Sequence, residues 1–548
     1  MKTMNRIFRV SALGMLVASM TACVDYLTAP SPAVDTVEDF FSSGQSCINN
    51  INSDYVPLQW EYSTTYCPEW FIGDIVSDDA LKGGQNLNDM SNAYDMENWK
   101  TISNNDLLND IYRANFLGVG RCNLSLRNIP NVGTDSLMNQ SLKNRLLGEA
   151  YFLRAMYYFR LVRIFGGVPL VLDVVDGTDG WLVERASVDD VFKAIIADLE
   201  QANEYLWVRS KYDAADLGRA TKGAAQAMLL KTYLYMAGDY WNKQVSMSAD
   251  DCYKKAKAWG DSIIASGEYN LIADYADLFT LAGENGVESV FEVQYMEEAT
   301  SDYGADAGGF GATRGTFSVI LTRSRSSLLG GGWGFNKPTQ NLYDEYEEGD
   351  KRRDATILTP LDSLIEVPNE EIYLGSRYVS RKRALYKNET GTDFENLGHA
   401  TRGEINNTII RYADVLLMHA EAALGMGDDA TAQADLNEIR TARSMPLYPG
   451  YKFSVNGVEI ASPTLQQAIR HERRVELAME GHRWFDIVRW NGLDGNGVKA
   501  HMDAYKATET TAAQGQMAAF VEGKHEIFPI PQKQRELNPS LTQNPNYQ

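Results

Sequence analysis

The chain has 548 residues, of which 44% are hydrophobic, 23% charged and 11% aromatic: enough apolar material for a large folded core, and far from the composition of a disordered or collagenous chain. With 29 Tyr, 19 Phe and 10 Trp against 16 Pro, it has few helix breakers and aromatics to spare for a surface. Its 73 acidic residues outnumber 51 basic ones, and a formal charge of −22 opposes a phosphate backbone, which excludes nucleic acid as a partner.

Lys2, Arg6 and Arg9 precede an apolar stretch from Val10 to Met20, which Met20-Thr21-Ala22-Cys23 closes. This is the pattern of a secretory signal, and the apolar run is about half the roughly 20 residues a spanning helix needs. It resembles a bacterial lipoprotein signal, with Met20 where Leu is usual. That resemblance implies that residues 1–22 are a lipoprotein signal peptide, cleaved before a lipidated Cys23 whose acyl chains tether the protein to a membrane. Cleavage removes three basic groups and no acidic one, leaving a charge of −25. Cys47, Cys67, Cys122 and Cys252 remain: an even number that permits two disulfides or, equally, reduced and buried thiols, at spacings that match no zinc pattern.

Residues 72–98 read as a polar, irregular segment. Ala150, Leu153, Tyr157, Leu161 and Ile164 then recur three or four apart on a helix ended by Gly166-Gly167, followed by a second helix from Val188 to Leu206. Lys222 to Ala237 and Tyr253 to Ala265 form the next pair. Val290 to Tyr295 alternates like a short strand, and the Gly- and Ser-rich 301–340 is again irregular. Ile410 to Leu424 and Ala430 to Ser444 form a third pair. Met236-Ala237-Gly238-Asp239 and Gly425-Met426-Gly427-Asp428 each place glycine and a capping aspartate between two helices, as tetratricopeptide-like hairpins do. The fold class expected is therefore all-α in the main, with small residues letting paired helices approach. Long irregular segments on such a scaffold are where binding sites sit.

Catalytic and cofactor motifs fail on inspection. His471-Glu472 opens a zincin pattern, but Val475 stands where the second histidine should be. Gly309-Phe310-Gly311 lacks the third glycine of a dinucleotide fingerprint, Arg314 taking its place. Gly218 and Gly223 have P-loop spacing, with Ala224 replacing the lysine. No cofactor or metal is expected. Asp78 and Asp79 could offer carboxylates to a structural calcium, but they fit no EF-hand spacing and read as a solvated acidic loop. The densest charged stretch, Glu472 to Asp486, reads as one helix over buried Trp484, Phe485 and Trp490. On it Arg473 neighbours Glu476 at i, i+3, whereas Glu476 and Glu480 repel at i, i+4 unless a cation from elsewhere reaches them. Its role is expected to be structural.

That stretch, Glu472-Arg473-Arg474-Val475-Glu476 through Glu480-Gly481-His482-Arg483 to Asp486 and Arg489-Trp490, resembles a signature of the SusD/RagB family. Ile410 to Ala422 resembles another of its helices, with His419 in place of Tyr, and Asn437 to Arg443 a third. Phe528-Pro529-Ile530-Pro531, Asn538-Pro539 and Gln543-Asn544-Pro545 resemble its C-terminal tail; Arg154 to Phe159 and Phe165 to Leu170 resemble its N-terminal helix. The resemblance runs over the whole mature chain. It implies a SusD-like fold with tetratricopeptide-like hairpins and a loop-rich ligand-binding side, as a single domain over 23–548 with an N-terminal part at 23–240 and a C-terminal part at 270–548. It also implies a non-catalytic glycan-binding lipoprotein of the outer membrane, tethered by Cys23 and facing the cell exterior. Such a protein delivers oligosaccharides to a SusC-like TonB-dependent transporter.

Sugars present flat CH faces and rings of hydroxyls, so a site needs exposed aromatics and short polar side chains. In the family, ligand contacts come from loops in the two irregular regions. The candidates there are Lys82, Asn86, Asp89, Tyr94, Tyr303 and Trp333, with Phe310 nearby. Trp333 has a second reading, as a core plug where the Gly331–Phe335 loop returns. Trp99 reads as packing. Two other functions stand beside glycan delivery: a peptide-binding lid of a similar uptake complex, and a surface glycoside hydrolase whose carboxylate pair carries no motif.

Overall fold

The computed structural model describes residues 36–59, 68–175, 180, 182–297, 315–359, 372–388, 391, 393–395, 403–493 and 495–547. Cys23, Cys67, Tyr303 and Phe310 lie outside them. Helices dominate, and the long ones begin where short polar side chains cap free N–H groups. Ser43 caps α1 (Gly44–Tyr55). After α2 (Glu69–Ile75), β1 (Ala80–Gly83) and α3 (Ser91–Glu97), Asn105 and Asn139 cap α4 (Asp106–Asn128) and α5 (Gln140–Phe165). Ser187, Thr221 and Ser248 cap α6 (Val188–Tyr205), α7 (Lys222–Ala237) and α8 (Ala249–Ala265). The expected α7 matches in both ends; α8 begins four residues before Tyr253 because Ser248 supplies its cap. Asp239 opens only a short turn of helix without a side-chain cap, so its expected capping role is not met. Asp428 does cap, accepting from the Thr431 amide at 3.2 Å.

The second half runs through β2 (Ser289–Val293), α9 (Ser318–Thr322), β3 (Phe335–Pro338), α10 (Gln340–Glu345), a further short helix at Lys351–Thr356, β4 (Ile357–Leu358), β5 (Val379–Ser380) and β6 (Asn407–Arg411). Then come α11 (Tyr412–Gly425), α12 (Asp429–Ala442), α13 (Leu465–Leu477), α14 (Arg483–Arg489) and α15 (Val498–Thr508). The helix expected from Ile410 starts at Tyr412 because the chain up to Arg411 is strand β6, in which Thr408 and Ile410 pair with Glu292 and Phe291 of β2, as β-branched residues favour. Helices α4 to α8 each pack on the next, α8 packs on α11, and α11 on α12. Small residues permit the approach: a Cβ at Gly118 would lie 2.4 Å from the Tyr157 ring, and one at Gly425 2.5 Å from that of Tyr253.

Of the four candidate disulfide cysteines, Cys47, Cys122 and Cys252 are buried and unbonded, so the two-disulfide alternative fails and the thiol alternative holds for these three. Burial raises the Cys122 thiol well above its usual range and pushes Cys252 up to about 12. Among the described residues, no helix is long and apolar enough to cross a membrane.

The Glu472–Asp486 stretch is two helices rather than one. The chain breaks between α13 and α14, with Met479 at φ +64° and Gly481 at φ +84°. The break lets the Gly481 backbone lie against α2, where a Cβ at Gly73 would fall 2.0 Å from the Gly481 carbonyl oxygen. The expected Arg473–Glu476 pairing gives way to longer-range partners: Arg473 reaches Asp414 and Asp486, both at 2.6 Å. The cation needed between Glu476 and Glu480 is Arg411, 2.7 Å from the first and 2.9 Å from the second. Arg352 and Arg443 complete the shell of Glu476, and Lys382 that of Glu480.

A candidate ligand face on the β1–β3 ribbon

Strand β1 pairs antiparallel with β3, Leu81 opposite Lys337 and Gly83 opposite Phe335. This one ribbon joins the two irregular segments: the loop leaving β1 at Gly84 lies beside the loop entering β3 at Trp333. The Gly84 amide donates to the Gly334 carbonyl at 2.9 Å. Gly83 and Gly84 both sit at positive φ, +79° and +77°, and a Cβ at Gly84 would meet the Phe335 ring at 2.4 Å. Only glycine fits so tight an exit.

Asp78 and Asp79, just before β1, are not the solvated acidic loop expected of them. Both are buried. Arg483 clasps Asp78 through two bonds, at 2.7 and 2.8 Å, and the His501 ring nitrogen lies 2.9 Å away. Arg474 reaches Asp79 at 2.9 Å. Burial opposes charge on Asp78, but Arg474 and Arg483 outweigh it and hold its carboxyl well below the usual range. The guanidinium groups thereby occupy the place a calcium would take, and they rivet β1 to α13 and α14.

Lys82 is buried beneath the loop rather than presented on it. Its ammonium donates to the Asn86 carbonyl at 3.1 Å and to the Asp89 carbonyl, and it sits 5.4 and 5.1 Å from the ring centres of Phe335 and Tyr373. Burial lowers its pKa to about 8 and raises that of neighbouring Glu97 to about 8. Lys82 is therefore a pin that shapes residues 84–90. Replacing it in Lys82→Met should free two carbonyls and cost about 1–3 kcal/mol. Hydrogen exchange should quicken at Gln85 and Asp89 while the β1–β3 amides stay protected; unchanged exchange in the loop would refute the pinning role.

Asn86 is exposed, its Oδ1 accepting from the Asn88 amide at 2.9 Å. Asp89 is half-buried and accepts from the Gln85 amide at 2.9 Å, closing the loop. Tyr94, on α3, is half-buried; its hydroxyl donates to Gln516 Oε1 at 2.7 Å and accepts from Lys100 at 3.2 Å. Trp333 is half-buried and stacked on Phe317, ring centres 5.7 Å apart and planes 24° from parallel. The ribbon thus gathers Lys82, Asn86, Asp89 and Trp333, with Tyr94 on the next helix, and Tyr303 lies outside the described residues. Trp99 is buried against Phe520, as expected of packing. Sequence reasoning missed Phe317, Tyr373 and Gln516, which support this face from afar in the chain; no local pattern marks them.

A model described as the SusD family matches residues 287–547, and one described as starch-binding, associating with the outer membrane, matches residues 30–234. The chain belongs to the SusD family. A SusD-like protein of Bacteroides ovatus is 25% identical over 98% of both chains. The starch-binding protein SusD of Bacteroides thetaiotaomicron is 23% identical, over 74% of this chain and 73% of its own. Among solved structures, a laminarin-binding SusD-like protein superposes with a TM-score of 0.73 at 26% identity, over 92% of this chain and 100% of that one. The SusD relatives whose names state a role are thus named as binding proteins, not as enzymes.

Proposed function

We propose that the protein is a non-catalytic surface glycan-binding lipoprotein that captures oligosaccharides and passes them to a SusC-like TonB-dependent transporter in the outer membrane. The observation that carries this reading is Trp333, held half-exposed on Phe317 beside the polar Asn86–Asp89 loop. An aromatic face next to short polar side chains is what a pyranose needs. The laminarin-binding and starch-binding relatives support the same ligand class. In this reading residues 1–22 export the chain, Cys23 carries the lipid anchor, and the rest acts as one domain on the cell exterior. The ligand contacts are Asn86, Asp89, Tyr94, Tyr303 and Trp333, with Lys82 acting from beneath.

The test is calorimetric titration of the mature chain with laminarin and starch oligosaccharides, alongside an assay for reducing ends. Saturable binding without release of reducing ends is the expected outcome. New reducing ends would make the protein a hydrolase, and peptide binding without glycan binding would make it a peptide lid.

A further inference from the structure

The described chain begins at Thr36, beside an apolar end of the body. Val37 and Phe40 stand three apart on the single helical turn Val37–Phe40, so they share one side of it. The next residue, Phe41, turns inward and packs with Val132 and Met138 of the α4–α5 connection. Leu137 of that connection faces out, on a turn fixed by the Asp135 carboxylate, which accepts from the amides of Gly44, Leu137 and Met138 at 2.7, 2.8 and 2.8 Å. Leu172 and Val175 reach the same end of α4: Asn123 donates to the Val171 carbonyl at 2.9 Å and Arg127 to the Val174 carbonyl at 3.0 Å. The five outward side chains are 40% to 56% exposed. Large apolar side chains scattered singly need no partner, but several gathered on one end mark a contact surface.

The polar groups around them are engaged within the protein. Asp39 accepts from the Thr36 hydroxyl at 2.9 Å, Asp173 pairs with Arg127 at 2.8 Å, and Lys143 donates to the Pro130 and Val132 carbonyls at 2.7 and 2.8 Å. Two cations, Arg127 and Lys143, thus stand among the carboxylates here, although the whole chain carries −22. A face of this kind suits the boundary between lipid headgroups and acyl chains, where apolar side chains enter and charged groups stay in the headgroup layer.

Chain length says what covers it. Thr36 is 13 positions after Cys23, a stretch that spans at most roughly 45 Å even fully extended. With Cys23 acylated, this end is the part of the described body joined most directly to the bilayer. A few half-exposed side chains would hold a free protein to lipid only weakly; on a short tether the local lipid concentration is high, and they need only select one orientation.

We propose that this end is a lipid-contacting surface, with Val37, Phe40 and Leu137 entering the headgroup–acyl boundary of the membrane that holds Cys23. The proposal rests on the lipoprotein reading of Cys23 and adds to it a contact made by the folded body.

The test attaches a nitrobenzoxadiazole fluorophore at Phe40→Cys, Leu137→Cys and, as a control, Val458→Cys, each in a Cys67→Ser background. Cys47, Cys122 and Cys252 are buried and stay unlabelled. Val458 is apolar and 66% exposed, on the hairpin formed by Phe453–Val455 and Val458–Ile460. Thermal midpoints confirm that each variant folds. The mature lipidated chain is reconstituted into phosphatidylcholine vesicles with and without a lipid that carries a nitroxide on its acyl chain. Emission at positions 40 and 137 should shift to the blue on reconstitution and be quenched at least about twofold by the nitroxide lipid, and that at 458 by less than about a tenth. Adding Leu137→Asp should cut the quenching at position 40 by about half or more. Vesicle flotation with equal quenching at all three positions refutes the lipid contact and leaves the anchor standing. Blue-shifted emission at 40 and 137 before vesicles are added also refutes it, because protein, residues 24–35 or a second copy, then covers the surface. If the chain does not float and Cys23 carries no acyl mass, the lipoprotein reading falls, and the proposal with it.

Discussion

Arg411→Ala should lower the unfolding free energy by about 3–5 kcal/mol, read as a fall in the urea midpoint with the slope unchanged. Arg411 is buried, 2% exposed, and its guanidinium bonds Glu288, Glu476 and Glu480 together with the Glu476 carbonyl. Removing it leaves three buried carboxylates short of a partner, and an uncompensated buried charge costs more than the pair contributes. Arg411→Lys should recover little, because an ammonium is a point charge and cannot span two carboxylates as the planar fork does. The acid limb should change as well. For Glu480, burial raises the pKa, but Arg411 and Lys382 outweigh it, and the net shift is from 4.5 to about 2. A group depressed in this way contributes its full stability above its unfolded value and loses it as pH falls from about 4.5 towards 2. Without Arg411 this contribution shrinks, so the variant's stability should vary less across that window than the wild type's. A loss below about 1 kcal/mol at pH 7 would mean that Arg443, Arg352 and Lys382 suffice for the cluster.

For Trp333→Ala the expected result is a loss of oligosaccharide affinity of about thirtyfold, near 2 kcal/mol and typical of an aromatic anchor, with the thermal midpoint nearly unchanged. The ring is half-buried, packed on Phe317 and Ile320 and against the edge of the main core, and the expectation is that truncating it removes more contact with a ligand than with the core. The opposite pattern, a large fall in midpoint with binding intact, would assign Trp333 to the core and leave Asn86 and Asp89 without an aromatic partner. Calorimetry and thermal unfolding on one preparation separate these outcomes.

Much of the scaffold was legible from local pattern. The α6 and α7 spans, and α5 from Ala150 to its end at Gly166, follow from apolar residues three or four apart; the first ten residues of α5 and the caps Asn139, Ser187 and Thr221 come from the structure. These signals lie within one helix, so neighbouring residues contain them. The misreadings share the opposite property. Glu472–Asp486 has helical composition throughout, yet it breaks at Met479–Gly481 because a second backbone, that of Gly73, needs the space. Asp78 and Asp79 look like a solvated loop until Arg483 and Arg474 arrive from 405 and 395 positions away.

The candidate face divides in the same way. Composition marks 72–98 as polar and irregular, but in the structure that stretch carries the end of α2, β1 and α3, and residues 70–84 are buried, because charges such as Asp78 and Asp79 find distant guanidinium partners. Which of its side chains face outward depends on the β1–β3 register: it turns Lys82 under the loop, where Phe335 and Tyr373 surround it, and leaves Asn86 in solvent. Helix identity and capping are local in sequence, and so was the family resemblance carried by helix motifs and the C-terminal tail. Burial of a given charge and the mate of each guanidinium depend on residues brought together only by packing, because a charge is stabilised or exposed by what lies within a few ångströms of it, wherever in the chain that neighbour comes from.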